Sequence, residues 1–76
     1  MFIAIQTRYL GPTNSRGARI QANTSQGHRC VIPYPHEADN LERHRMAAEK
    51  LIEKYRWPHR NLVAGGTRDG YVWVAT

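Results

Sequence analysis

The sequence predicts an α+β fold in which an antiparallel sheet of four to five strands packs against one helix, in the order βββαββ. Segments rich in β-branched and aromatic residues lie on both sides of one long stretch with helical periodicity. Glycine- and proline-rich turns separate these segments. The chain has 76 residues, so we expect a single domain, 1–76, with one small core.

Three strands are expected in the first half of the chain, at residues 2–9 (FIAIQTRY), 18–24 (ARIQANT) and 28–34 (HRCVIPY). The tripeptide Ser25-Gln26-Gly27 indicates a tight hairpin between the second strand and the third. Because Pro33 has no N–H to donate, the third strand either ends there or lies at an edge of the sheet.

One helix is expected over residues 39–57. Asp39 and Glu42 have the spacing of an acidic capping box at its start, and Pro58 ends it. Residues at spacings of three and four form one apolar stripe, which consists of Leu41, His44, Ala47, Ala48, Leu51, Ile52 and Tyr55. Within this stripe we interpret His44 as a boundary residue and not as a metal ligand.

Two short strands are expected after the helix, at residues 62–64 and 71–75. The glycine-rich stretch 65–70 between them indicates a hairpin connection. It leads into a strand and not into a helix, so it does not fit a phosphate-binding loop.

A single helix covers one face of the sheet, and the alternation of the strands predicts what the other face carries. The residues expected to face the helix are Ile3, Ile5, Ala18, Ile20, Ala22, Cys30, Ile32, Val72 and Val74. Their neighbours then form the predicted binding site on the open face, with Arg8, Arg19, Arg29, Tyr71 and Trp73 as its main members. The alternative is that Tyr71 and Trp73 belong to the core while Val72 and Val74 face outward.

The charge pattern favours an anionic partner for this open face. The net charge is +5, and nine of the eleven basic residues are arginine, whose planar guanidinium suits phosphates and carboxylates. Residues 1–36 contain four arginines and no acidic residue, whereas residues 37–57 contain five acidic and five basic residues. The excess of positive charge is therefore expected on the first three strands.

Catalytic, metal and cofactor sites are not expected, and neither is a membrane anchor. His28, Cys30, His36 and His59 match no usual zinc spacing, and a lone cysteine argues against a disulfide framework. Cys30 is interpreted as a small buried apolar residue. No apolar run approaches the ~20 residues of a membrane span, and the first residues lack the features of a signal peptide. We therefore expect a non-enzymatic cytoplasmic protein.

The sequence resembles small phage and mobile-element proteins in three segments. These are the opening Tyr9-Leu10-Gly11-Pro12-Thr13-Asn14 with Gly17-x-Arg19-Ile20-x-Ala22, the segment Val31-Ile32-Pro33-Tyr34, and, after a helix from Asn40, the closing Gly65-Gly66 through Asp69-Gly70-Tyr71. Some phage proteins of this size inhibit CRISPR or other defence complexes. The resemblance implies a phage setting, not a mechanism.

Three functions remain open on the sequence. The first is a binding protein that inhibits a host protein or nucleoprotein complex through a basic surface. The second is a direct nucleic-acid-binding protein that uses arginine and aromatic side chains of the open sheet face. The third is a structural component of a virion, in which copies of the chain make a repeated contact.

Overall fold

The computed structural model describes residues 3–15, 17–58, 61–68 and 70–76 and confirms the α+β prediction. The elements are β1 Ile3–Leu10, β2 Arg19–Asn23, β3 Arg29–Pro33, α1 Asn40–Tyr55, β4 Leu62–Gly66 and β5 Gly70–Ala75. Every neighbouring strand pair is antiparallel, and the sheet order is β3-β2-β1-β5-β4. Three residues of the sequence analysis lie outside the described residues: Phe2 of the first predicted strand, His59, which was not expected to bind a metal, and Asp69 of the predicted glycine-rich turn. In the described part, α1 is too short and too polar to span a membrane.

The predicted hairpin between β2 and β3 is present. The Thr24 N–H donates to the carbonyl of His28 at 2.9 Å, and the Gly27 N–H donates to the carbonyl of Thr24 at 3.2 Å. Gly27 has a φ of 94°, which a residue with a side chain rarely adopts. Glycine at this position therefore fixes where the two strands reverse.

The hairpin between β4 and β5 depends on a second glycine. A Cβ atom at Gly70 would lie 2.0 Å from the backbone oxygen of Thr7, which is far below any tolerated contact. The absence of a side chain lets β5 begin directly beside β1, where Gly70 pairs with Arg8. The Thr67 N–H closes the turn by donating to the Gly70 carbonyl at 2.9 Å.

Helix α1 begins as the sequence predicts and ends slightly earlier. Asp39 is the N-cap, and its Oδ1 accepts the Glu42 N–H at 2.8 Å. The helix ends at Tyr55, three residues before Pro58, because Arg56 adopts a left-handed conformation with a φ of 54°. The Trp57 N–H then turns back to the carbonyl of Ile52 at 3.1 Å, which satisfies one of the last helical acceptors.

The core lies between α1 and the middle of the sheet. Helix α1 packs over β1, β2, β3 and, to a smaller extent, β5. The buried apolar residues are Ile5, Ile20, Ala22, Ala47, Ala48, Leu51, Ile52, Trp73 and Ala75. Three members of the predicted stripe depart from expectation: Leu41 and Tyr55, near the helix ends, are exposed, and His44 is buried instead of lying at the boundary.

The prediction for the faces of β5 was wrong, and its stated alternative is the observed arrangement. Trp73 is 3% exposed and pairs with Ile5, whose side chain faces the helix. Since paired residues of antiparallel strands project from the same face, Trp73 and Tyr71 lie on the helix side. Val72 and Val74 therefore lie on the open face and not in the core.

Candidate functional site

The structure divides the five predicted site residues between three places. Arg8, Arg19 and Arg29 lie on the sheet face that α1 does not cover, as predicted. Trp73 is in the core and cannot contact a partner, so its predicted role is wrong. Tyr71 is half-buried on the opposite face, beside the N-terminal half of the helix.

Side chains with amide groups lie next to the three arginines on the open face. The pairings place Arg8 opposite Gln21 and Arg29 opposite Asn23, while Arg19 is the diagonal neighbour of Arg8. Gln6, which pairs with Asn23, completes the set. We call these six residues, Gln6, Arg8, Arg19, Gln21, Asn23 and Arg29, the arginine face. Along β2, Arg19 and Asn23 are about 13 Å apart at the usual rise of a strand.

One donor of the arginine face is buried without a partner. The Nε atom of Arg19 is inaccessible to solvent and has no hydrogen-bond acceptor among the described residues. A buried N–H without an acceptor costs free energy, on the order of 1–3 kcal/mol.

The carboxylates of the described residues lie in the other layer of the molecule. Their positions are Glu37, Asp39, Glu42, Glu49 and Glu53. All of them belong to α1 or to the segment that leads into it. The four basic residues of α1 and Arg56, which follows it, equal these carboxylates in number. Two pairs are close enough to interact, Arg45 with Glu49 at 3.3 Å and Lys50 with Glu53 at 3.7 Å. The helix layer is thus mixed in charge, while the strand residues of the arginine face are basic or neutral.

The buried hydroxyl of Thr7, on β1, connects the sheet to the helix. Thr7 Oγ1 accepts the indole N–H of Trp73 at 3.0 Å and lies 2.9 Å from Nδ1 of His44. It also lies 3.4 Å from the carbonyl oxygen of Tyr71, to which it can donate. The indole N–H of Trp73 and Nδ1 of His44 are therefore both paired at a single threonine, which helps to explain how a histidine is tolerated in the apolar stripe.

Burial lowers the pKa of His44 below its ordinary value of 6.5, and the hydrogen bond with Thr7 only partly offsets this effect. The imidazole is neutral in the folded protein near neutral pH. Because the unfolded chain takes up a proton more readily, the free energy of unfolding is expected to fall as the pH drops below about 6.5 and through the lower folded pKa. Urea titrations across this range measure the loss.

His44→Asn provides the control for this prediction, since it keeps a polar group near Nδ1 and does not titrate. We expect the variant to be less stable at neutral pH but to show a smaller further loss between about pH 6.5 and 5. An equal acid sensitivity in both proteins would show that His44 is not the responsible group.

A cleft lined by tyrosines lies where the sheet extends beyond the start of the helix. The side chains of Tyr9, Tyr34 and Tyr71 continue the helix-facing rows of β1, β3 and β5, and His44 and Asn40 of α1 form the adjacent wall. Gly66, Thr67, Arg68 and Gly70 of the β4–β5 hairpin close the third side. We call this the tyrosine cleft, and its volume is about 600 Å³.

The walls of the tyrosine cleft are held in place by side chains of α1. Arg43 donates to the hydroxyl of Tyr34 and to the carbonyl oxygens of Pro35, at 2.9 Å, and His36, at 3.1 Å. Its guanidinium also lies 4.5 Å from the centre of the Tyr34 ring. Asn40 donates from Nδ2 to the hydroxyl of Tyr71 at 3.4 Å. The cleft is therefore preformed by local hydrogen bonds.

The sequence analysis did not find the tyrosine cleft, although one signal was present. The period of two that places Ile5 and Thr7 towards the helix continues to Tyr9, and the same period in β3 continues through Ile32 to Tyr34. Asp39 marks where the helix starts. What was missing was the position of that start relative to the strand ends, which depends on tertiary packing.

Cys30 lies on the helix side of β3, as predicted. Its Sγ atom is 3.6 Å from the carbonyl oxygen of Ala47, and burial raises the pKa of its thiol above the ordinary value of 9.0. The thiol is therefore protonated at neutral pH, which disfavours nucleophilic chemistry. Across the described ranges, no three histidine, cysteine or acidic side chains are grouped so that they could hold a metal ion.

The geometry thus contains two surfaces suited to binding, the arginine face and the tyrosine cleft, on opposite sides of one sheet. Comparison with known proteins adds no relative to these observations: no family model, curated protein or solved structure matches the chain.

Proposed function

We propose that this chain is a non-enzymatic binding protein whose arginine face docks onto an acidic surface of a partner protein or nucleoprotein. In the phage setting that the resemblance implies, the proposed consequence of docking is inhibition of a host defence complex. The observation that carries the proposal is that Arg8, Arg19 and Arg29 share one open sheet face on which the described strands place no carboxylate.

The side chains of the arginine face fit a surface that offers many acceptors. Each guanidinium can donate two parallel hydrogen bonds to a carboxylate or a phosphate. The amides of Gln6, Gln21 and Asn23 can pair with either donors or acceptors, so they add hydrogen bonds without adding charge.

An acidic protein surface fits this face better than a single-stranded nucleic acid does. Proteins that hold single strands stack the bases on exposed aromatic side chains. Trp73 is buried and Tyr71 lies on the helix side, so neither aromatic residue of β5 is available to the arginine face. Direct binding of nucleic acid through this face would therefore rely on phosphates alone.

Charge reversal at all three arginines tests the proposal. We expect the triple variant Arg8→Glu, Arg19→Glu and Arg29→Glu to retain its fold and to lose capture of partners from a nuclease-treated host lysate. The matched control reverses three exposed basic residues of the helix layer, Arg45, Lys50 and Arg56, and should leave capture unchanged. Circular dichroism confirms the fold of both variants. Equal capture by the two variants would contradict the proposal.

Titration with random-sequence DNA and RNA tests the nucleic-acid alternative. A direct binder loses affinity linearly on a logarithmic plot against salt concentration, because bound phosphates release counterions. Salt-dependent binding to both polymers, together with loss of all protein partners after nuclease treatment, would replace the proposed function with nucleic-acid binding. A structural role would instead appear as a mass that rises with concentration in size-exclusion chromatography.

A further inference from the structure

From the contacts within the tyrosine cleft we infer a second binding site, which takes a proline-rich peptide segment with acidic flanking residues. The segment would bind in the extended polyproline conformation. This site lies on the opposite side of the sheet from the arginine face, and the inference does not depend on the function proposed for that face.

The orientation of the aromatic rings favours proline over a nucleobase. Tyr9 and Tyr34 meet edge to face, with ring centres 5.4 Å apart and planes at 75°, and His44 meets Tyr71 at 4.8 Å and 68°. In both pairs the edge of one ring packs against the face of the other, which leaves less free ring face on which a flat base could stack. Grooves between aromatic side chains are the surfaces on which polyproline segments bind.

The hydrogen-bonding groups favour a ligand that has carbonyls and few N–H groups. The hydroxyl of Tyr34 accepts from Arg43 and that of Tyr71 accepts from Asn40, so the proton of each hydroxyl remains available for donation. A segment of consecutive prolines presents its carbonyl oxygens and has no N–H to pair. The donors of the tyrosine cleft therefore match the acceptors of such a segment.

The positive charge at the edge of the tyrosine cleft favours acidic residues beside the prolines of the peptide. Arg68 lines the cleft from the hairpin side, and none of the described lining residues is acidic. Arg43, although basic, is already engaged by three acceptors behind Tyr34. Arg68 is thus the group that a flanking aspartate or glutamate would contact.

The size of the cleft agrees with a short peptide. Its volume is about 600 Å³, within the usual ~300–1,000 Å³ of ligand sites. A rigid polyproline segment loses little conformational entropy when it binds, so a few contacts suffice to hold it.

Fluorescence anisotropy with a synthetic peptide tests the inference. The probe is a labelled peptide of about ten residues, with a central run of prolines and two aspartates at each end. The reference peptide has glycine and serine in place of the prolines, and a second reference has lysine in place of the aspartates. We expect the probe to bind more tightly than either reference, with NMR shift changes confined to the residues that line the tyrosine cleft.

Two variants and one control locate the site. Tyr9→Ala, at a ring that is 47% exposed, is expected to weaken binding of the probe by about tenfold or more, and Arg68→Glu should abolish the preference for aspartate over lysine. Tyr55→Ala removes a tyrosine of similar exposure, 38%, at the far end of the helix and should have no effect.

Several outcomes would overturn the inference. They are equal binding of the proline peptide and the glycine–serine peptide, equal effects of Tyr9→Ala and Tyr55→Ala, and displacement of the probe by a mononucleotide, which would assign the cleft to nucleotides. Loss of probe binding in the Arg8, Arg19 and Arg29 triple variant, with Tyr9→Ala unaffected, would place the contact on the arginine face. The first three of these results leave the capture of partners by that face untouched.

Discussion

Replacement of Trp73 with alanine is expected to destabilise the fold by about 3–5 kcal/mol. Trp73 is 3% exposed and belongs to the core. The substitution removes its whole ring and also leaves Thr7 Oγ1 without the indole donor at 3.0 Å. Urea unfolding followed by circular dichroism measures the loss, and the variant is expected to be partly unfolded at room temperature.

Two further variants of β5 separate burial from hydrogen bonding. Val74→Ala, one position away on the open face, should cost far less than Trp73→Ala, because its side chain faces away from the helix. Trp73→Phe keeps an aromatic ring and removes the indole donor, so its cost should be intermediate. A stable, fully folded Trp73→Ala protein would show that the tryptophan is exposed, in the orientation that places Val72 and Val74 in the core.

Leu51→Ala is expected to cost roughly 2–5 kcal/mol, because it leaves a cavity between α1 and the sheet. Leu51 is completely buried and is one of the largest side chains in the core. The same measurement on Leu41→Ala provides the control, since Leu41 is on the same helix but 47% exposed. Equal melting temperatures for the native chain and Leu51→Ala would mean that another face of the helix packs on the sheet.

The helix and the first three strands were predictable because each carries an asymmetric pattern. In β2, the small and apolar Ile20 and Ala22 alternate with polar residues, so only one orientation buries them. In α1, Asp39 supplies a cap, and the apolar stripe has polar residues on its other side. In these elements the local sequence signals and the pattern of burial favour the same structure. Both the type and the orientation of each element can therefore be predicted from the sequence.

The orientation of β5 was not predictable from its own residues. Its two faces carry Tyr71 and Trp73 or Val72 and Val74, and either pair is apolar enough to be buried. The pairing with β1 decides between them, since it brings Trp73 beside Ile5, on the face where Thr7 accepts the indole N–H. That information lies more than sixty residues away along the chain.

The same limitation explains why only part of the candidate site was predicted. The arginine face follows from alternation within β1, β2 and β3, so its three arginines were placed correctly. The tyrosine cleft requires side chains from four separate elements and a helix shorter than the sheet face beneath it. Only the packing of α1 on the sheet brings Tyr9, His44 and Tyr71 together.

The separation of charge between the sheet and the helix layer determines the electrostatic field that an approaching partner meets. The described carboxylates belong to α1 and the segment before it, on the other side of the sheet from the arginine face. A surface docked on the arginine face touches the arginines directly, and at physiological ionic strength solvent screens exposed charges over about 8 Å. The nearby arginines therefore dominate the field that this surface meets. A long-range encounter at low salt would turn the molecule so that this face leads, and the tyrosine cleft would then point away, free to hold a second chain.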